Sequence, residues 1–325
     1  MINWITRWFK GEDMPPPAAA AAAAPAPVAI DEAAAGAPSS PPPAVDLPRL
    51  FYASLAGAPS LEVPAATEQL ILDELARLVA APRDGADLVP RVPAVIPQLL
   101  KSLRDDSMSG AELSRQLAQD VVLVAEVIRE ANSPYYSPTA PVRTIEAAVM
   151  LLGQNGMRML LARVAFRPII SMQTGRFAHQ GAPIVWRESE ACALAASLLA
   201  PKAGVNVFEA YLAGLLHHVG LIVALRLIDQ IYNGAALPAS DRFCDALLHD
   251  ARRLSARIAT LWDFPPAVAG AIEGDDSTLA RVLARADQLA MLRLLVDGGQ
   301  AEAEEAAAVA GIDAAVLDQL RATAG

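Results

Sequence analysis

The strongest constraint on this chain is the period of its apolar residues. Between residues 67 and 297 they recur every three or four positions, and no stretch alternates in the two-residue rhythm of a half-buried strand. Leu70, Leu72, Leu75, Leu78 and Val79 set the pattern, Leu123, Val124, Val127 and Ile128 repeat it, and Leu279, Val282, Leu283, Ala286 and Leu289 carry it to the end. The composition agrees. At 54% hydrophobic but 5% aromatic residues, the core must be filled by Ala, Leu and Val, and Ala and Leu are the best helix formers. Start signals stand where the segments open. Ser109–Glu112 and Asn206–Glu209 have the form of capping boxes, in which the first side chain accepts from a helical amide and the glutamate reaches back. Asp120, Thr144, Asn155 and Ser277 can cap further helices. Asn132 is placed to end a helix in the left-handed conformation, Gly153 can close another, and Pro134, Pro138 and Pro265-Pro266 forbid continuation. The fold class expected is all-α, a multi-helix bundle in two packed helical lobes.

The segments around this bundle are of another kind. Residues 1–13 form a short amphipathic aromatic segment, with Trp4 and Trp8 one helical turn apart. Within it, residues 1–10 suit a weak membrane-surface contact or a hook for a partner protein. Residues 14–48 are Pro/Ala-rich and expected to be a disordered tether. A lead-in helical segment (49–85), a main domain (86–297) and an acidic, Ala-rich helical tail (298–325) complete the division.

Totals exclude some functions. A net charge of −10 argues against binding nucleic acid by phosphate neutralisation. The helix after Asp120 carries one arginine and two glutamates, the wrong surface for a DNA reader. Cys192 and Cys244 lie in apolar contexts without Cys-x-x-Cys spacing, which reads as buried thiols of a cytoplasmic protein. No uninterrupted apolar run approaches the ~18 residues of a membrane span. Neither a Gly-rich phosphate loop, a Gly-x-Ser-x-Gly elbow nor a His-Glu-x-x-His motif occurs.

An ordered set of short motifs then resembles one family. Val89-Pro-Arg-Val-Pro93, Leu117-Ala-Gln-Asp120, Ala131-Asn132-Ser133, Thr144–Ala148 and Leu151-Leu-Gly153 are followed by Trp186-Arg-Glu-Ser189, Ala213–His217, Leu261–Pro265 and Ala286–Leu289. This series is similar to the HDOD domains, regulatory relatives of the metal-dependent HD phosphohydrolases. The resemblance implies an HD-like helical fold and a role in signal transduction, often without catalysis. It also implies where a metal centre would lie. Active HD enzymes have an upstream histidine, a His-Asp pair and a later aspartate. The matching positions here are Glu188, His217, His218 and Asp287. With the pair's carboxylate replaced by His218, the affinity for a hard divalent ion should fall. Consecutive helical residues also point about 100° apart, so His217 and His218 should not share an ion. These four are therefore read as vestigial metal-site positions, with no catalytic residue, cofactor or metal expected.

Asn132, Ser133, Tyr135 and Tyr136 form the sharpest polar cluster and are candidates for a partner or ligand groove. Arg143, Arg158, Arg163, Arg167 and Arg176 make a locally basic sector that either meets an anionic partner or nucleotide or lies on solvated helix faces. The reading is a non-catalytic bacterial regulatory module that contacts protein partners in a signalling pathway. The alternative is a residual metal-dependent phosphohydrolase or a nucleotide sensor using the vestigial cleft.

Overall fold

The structure is a computed structural model that describes residues 46–56, 63–82, 88–89, 112, 114–115, 121–133, 138–171 and 174–299. The aromatic segment, the tether as far as residue 45, Ser109, Asp120, Pro134, Tyr135, Tyr136 and the tail from residue 300 lie outside these residues. Helices in chain order are α1 (Leu47–Ala56), α2 (Ala65–Ala80), α3 (Val121–Ala131), α4 (Ile145–Ser171), α5 (Arg176–Ala203), α6 (Val207–Leu216), α7 (Val219–Ile231), α8 (Asp241–Leu261), α9 (Pro266–Glu273) and α10 (Thr278–Asp297). No strand occurs among the described residues, and the all-α expectation holds.

Several expected signals act as written. Asn206 Oδ1 accepts from the amides of Phe208 and Glu209, and Ser277 Oγ accepts from Ala280, so each satisfies amides that have no partner within the helix. Gly153, at φ 68°, breaks α4 near its start. Asn132 departs from expectation. Its backbone is not left-handed, and its side-chain amide instead donates to the carbonyls of Ile128 and Val142 and accepts from the Val142 amide. Those three bonds tie the end of α3 to the start of α4, which makes Asn132 a loop clamp. The tether also ends earlier than expected. α1 opens at Leu47 because Asp46 Oδ1 accepts from the Arg49 amide and Leu47 is buried.

α5 is the axis of the bundle, packed by α4, α6, α7, α10 and α1. Its buried residues include Ala178, Ala182, Ala193, Ala195, Ala196 and Ala200, and such short side chains allow neighbours to come close. Gly214 of α6 shows how close: a Cβ there would lie 2.6 Å from the Ala193 backbone. Gly220 of α7 is as tightly set against α8, where its amide donates to Ser255 Oγ at 2.8 Å. An 18-residue window within 207–231 has mean hydropathy 1.7, apolar and long enough to cross a membrane by composition alone. That window is 89% buried within the bundle, and the segment is divided into α6 and α7 at His217-His218.

The basic sector is not simply a solvated surface. Arg158 and Arg163 are buried, while Arg143, Arg167 and Arg176 are exposed. Arg163 of α4 is ion-paired to Glu130 of α3 and Glu190 of α5. A buried guanidinium persists only where carboxylates compensate its lost hydration, and these two provide that.

The approach of α7 to α8 gives a direct test. A Cβ at Gly220 would stand 2.1 Å from the carbonyl oxygen of Ala251. Gly220→Ala is expected to cost about 1–3 kcal/mol by overpacking, seen as a lower urea midpoint with an unchanged denaturant slope.

Candidate functional site

The four positions singled out in the sequence converge. Glu188 projects from the middle of α5, His217 and His218 occupy the break between α6 and α7, and Asp287 comes from α10. One ligand atom from each lies within 4.8 Å of all the others. The expected divergence of the two imidazoles does not occur because the helix stops there. His217 terminates α6, and His218, at φ −106° and ψ 8°, precedes α7. Released from helical geometry, the rings stack at 3.9 Å between centroids and turn their Nε2 atoms to the same carboxylate.

The distances define the chemistry. His217 Nδ1 is 2.6 Å from the Gly214 carbonyl oxygen and donates to it, which fixes the ring and leaves Nε2 for the centre. His217 Nε2 is 3.3 Å from both Glu188 Oε2 and Asp287 Oδ1. His218 Nε2 is 3.1 Å from Glu188 Oε2 and 3.9 Å from Asp287 Oδ1. Glu188 is wholly buried and His217 is 5% exposed. Both carboxylate oxygens of Glu188 and Nε2 of His218 lack a well-formed hydrogen bond.

Burial and proximity push the proton affinities apart. Burial raises Glu188 to about 7, against the pull of His217. Burial also acts to lower His217, but the carboxyl groups of Glu188 and Asp287 act against it and hold the imidazole well above its ordinary range. His218 moves well below, through burial and the charge of its neighbour. Asp287 falls to about 2, because its bond to His217 overcomes a burial effect of opposite sign. Without an ion, the centre is therefore a His217 imidazolium between carboxyl groups, beside a neutral His218.

The donor set fits a single metal ion. Glu188 occupies the position the resemblance gives to histidine and His218 the one it gives to aspartate, so the two departures exchange donors. Two imidazoles and two carboxylates remain, a set suited to zinc and similar ions. The unsatisfied atoms of Glu188 and His218 face the point where such an ion would be held.

One participant had no signal in the sequence. Phe51 of α1, 1% exposed, lies over the His218 ring at 5.0 Å and 8° between planes. The adjacent Tyr52 hydroxyl donates to the Pro238 carbonyl at 2.6 Å and anchors this roof. Of the candidate groove, Asn132 serves as the loop clamp, while Ser133 lies outside this centre and lines a separate cavity. Cys192, below the centre on α5, is pushed up to about 12 by burial and stays a thiol at neutral pH.

These protonation states predict how stability depends on pH. A group whose pKa is raised by folding stabilises fully below its unfolded value and loses that contribution as pH rises through the folded one. His217 behaves so above about pH 6.5, and Glu188 acts in the same sense between 4.5 and about 7. Asp287, lowered from 3.8 to about 2, loses its contribution only in strong acid. His218, lowered well below its ordinary value, acts in the opposite sense and gains stability as pH rises towards about 6.5, offsetting Glu188. The metal-free protein is therefore expected to hold its stability between about pH 5 and 6.5 and to lose it above, as His217 loses its advantage. Urea midpoints should fall above about pH 6.5 for the wild type, and in Glu188→Gln they should rise with pH below that point. A bound ion reverses the slope, because ligation requires deprotonated donors.

The comparisons agree with this architecture. The model of the HDOD domain matches residues 89–277. An uncharacterized protein of Treponema pallidum (strain Nichols) is 20% identical over 211 residues, covering 62% of this chain, and the chain spans only 40% of that relative's length. A structure from Shewanella amazonensis SB2B, provisionally described as a metal-dependent phosphohydrolase, aligns with a TM-score of 0.56 at 22% identity over 79% of this chain and 98% of its own. An HDOD domain protein from Geobacter sulfurreducens aligns with a TM-score of 0.51 at 24% identity over 68% and 77% of the two chains. A provisionally described signal transduction protein from Marinobacter aquaeolei VT8 gives 0.53 at 19% identity over 79% and 63%. At these identities the solved structures establish a shared all-α, HD-like fold and nothing about activity. Because the family match covers more than half of the 325 residues, this chain belongs to the HDOD domain family.

Proposed function

We propose that this chain is a non-catalytic regulatory module of a bacterial signalling system, with its HD centre retained as an internal clamp. The carrying observation is that the centre is buried at Glu188 and His217 and roofed by Phe51, with His218 and Asp287 only partly exposed. A catalytic metal site keeps a position open for water or substrate, whereas a structural site fills its coordination with protein ligands. Glu188, His217, His218 and Asp287 offer four donors, as many as an active HD centre presents, so access to the centre and not the number of donors decides between the two. Phe51 covers His218, and Glu188 has no solvent exposure. An ion held by these residues would contribute charge neutralisation and a tie between α5, the α6–α7 break and α10. Its absence leaves the His217 imidazolium to serve as a weaker tie. In either state the output runs through contacts of the helical surface with a protein partner, in keeping with the description of the Marinobacter relative as a signal transduction protein.

A second reading, a metal-dependent phosphohydrolase, draws on one observation: the unsatisfied Glu188 and His218 atoms are positioned to receive a cation. It requires a further coordination position reachable by substrate, for which the partly exposed His218 and Asp287 are the point of access.

One experiment separates the two. The purified protein, dialysed against dilute zinc or manganese, is measured for metal content and for release of p-nitrophenol from bis(p-nitrophenyl) phosphate. The clamp reading expects at most one ion per chain, lost in Asp287→Asn, and no release above the metal-only blank. Metal-dependent turnover abolished by Asp287→Asn in a folded variant would establish the hydrolase instead.

A further inference from the structure

A separate cavity of about 380 Å³ lies between α4, α5 and α10, with the end of α3 at its margin. Its α5 residues, Arg187, Glu190, Ala191 and Leu194, present another face of the helix from Glu188, so this space is not the buried metal-type centre. Four arginines line it, Arg163, Arg167, Arg187 and Arg293, against the carboxylates of Glu130, Glu190 and Asp297. Fully ionised, the lining carries a positive excess of one within a chain of net charge −10.

The arginines differ in their freedom. Arg163 is gripped between Glu130 and Glu190, and Arg293 stands 3.5 Å from Asp297. Arg167 touches Glu130 at 3.3 Å with its side chain 48% exposed. Arg187 is exposed and has no hydrogen-bond or ion-pair partner among the described residues. The cavity thus combines an immobilised basic wall and a guanidinium still to be paired. Leu194 and Leu294 add an apolar surface.

We propose that this cavity binds an organic phosphate of about mononucleotide size, with Arg187 and Arg167 on the phosphate and the Leu194–Leu294 wall on the apolar or planar part. Guanidinium groups match phosphate oxygens with paired, charge-assisted hydrogen bonds. The volume lies at the lower end of the ~300–1,000 Å³ usual for small-molecule sites. Inorganic phosphate would leave the leucine wall uncovered, which selects a larger, amphipathic anion. A nucleotide in this family member would then sit on the α4–α5–α10 face and not in the Phe51-roofed centre. The inference is independent of whether that centre holds an ion.

The test is isothermal titration of the full chain with AMP, GMP and inorganic phosphate at constant ionic strength, repeated with Arg187→Ala, Arg167→Ala and Glu188→Gln. Circular dichroism verifies the fold of each variant. AMP or GMP is expected to bind one per chain and more tightly than inorganic phosphate. Arg187→Ala should weaken that binding at least tenfold, Arg167→Ala should weaken it too, and Glu188→Gln should leave it unchanged. Absence of saturable binding by either nucleotide would overturn the proposal. So would affinity unaffected by the two arginine substitutions, inorganic phosphate binding as tightly as the nucleotides, or loss of binding in Glu188→Gln.

Discussion

A carboxyl group with no access to water organises this molecule. Glu188 stands in the middle of α5, the helix against which most others pack. A buried carboxylate is tolerated only when it is neutralised or paired. The compensation is drawn from distant parts of the chain: the His217 imidazolium at the α6–α7 break faces both Glu188 and Asp287 of α10, and the like charge of Asp287 pushes Glu188 towards its neutral form, all within 4.8 Å. The sequence elements that supply these groups must meet, so the chemistry of one residue constrains the packing of four helices. The two glycines that flank the histidine pair are part of the same requirement. Gly214 allows α6 to touch the α5 backbone, and Gly220 lets α7 lie against α8. The short connection between them is the break that turns both imidazoles inward.

A second buried charge is handled differently. Arg163 meets Glu130 and Glu190 directly, and the three side chains join α3, α4 and α5. This network is locally satisfied, whereas the centre around Glu188 has unsatisfied atoms. The contrast separates a structural tie from a place where a further positive partner fits. It also shows α5 serving two faces. Glu188 takes part in the Phe51-roofed centre, and Arg187 and Glu190 line the separate cavity. A helix shared in this way puts the two sites in physical contact through one rigid element.

Some of this was legible in the chain. The helical period, the Asn206 and Ser277 caps and the Pro265-Pro266 restart are local signals, and local hydrogen bonding fulfils them. The positions of Glu188, His217, His218 and Asp287 were also accessible, through ordered motifs. Their geometry was not. A straight helix puts neighbouring side chains about 100° apart, and only packing on both sides of His217-His218 reveals that the helix ends between them. Asn132 erred for a similar reason. Its residue type allows a left-handed cap, but Val142 offers both a carbonyl and an amide to its side chain ten residues later.

Sequence alone determined the class of fold, the helix boundaries set by local caps and breakers, the family and the residue types of the centre, because each is written within a few helical turns or as an ordered motif. Tertiary structure alone decided which atoms meet. It brought Phe51, from outside the matched family region, onto His218, and it distributed the basic sector between a buried ion-paired network and a cavity rim. Those outcomes depend on desolvation and on contacts between helices far apart in the chain, quantities that no local pattern of residues carries.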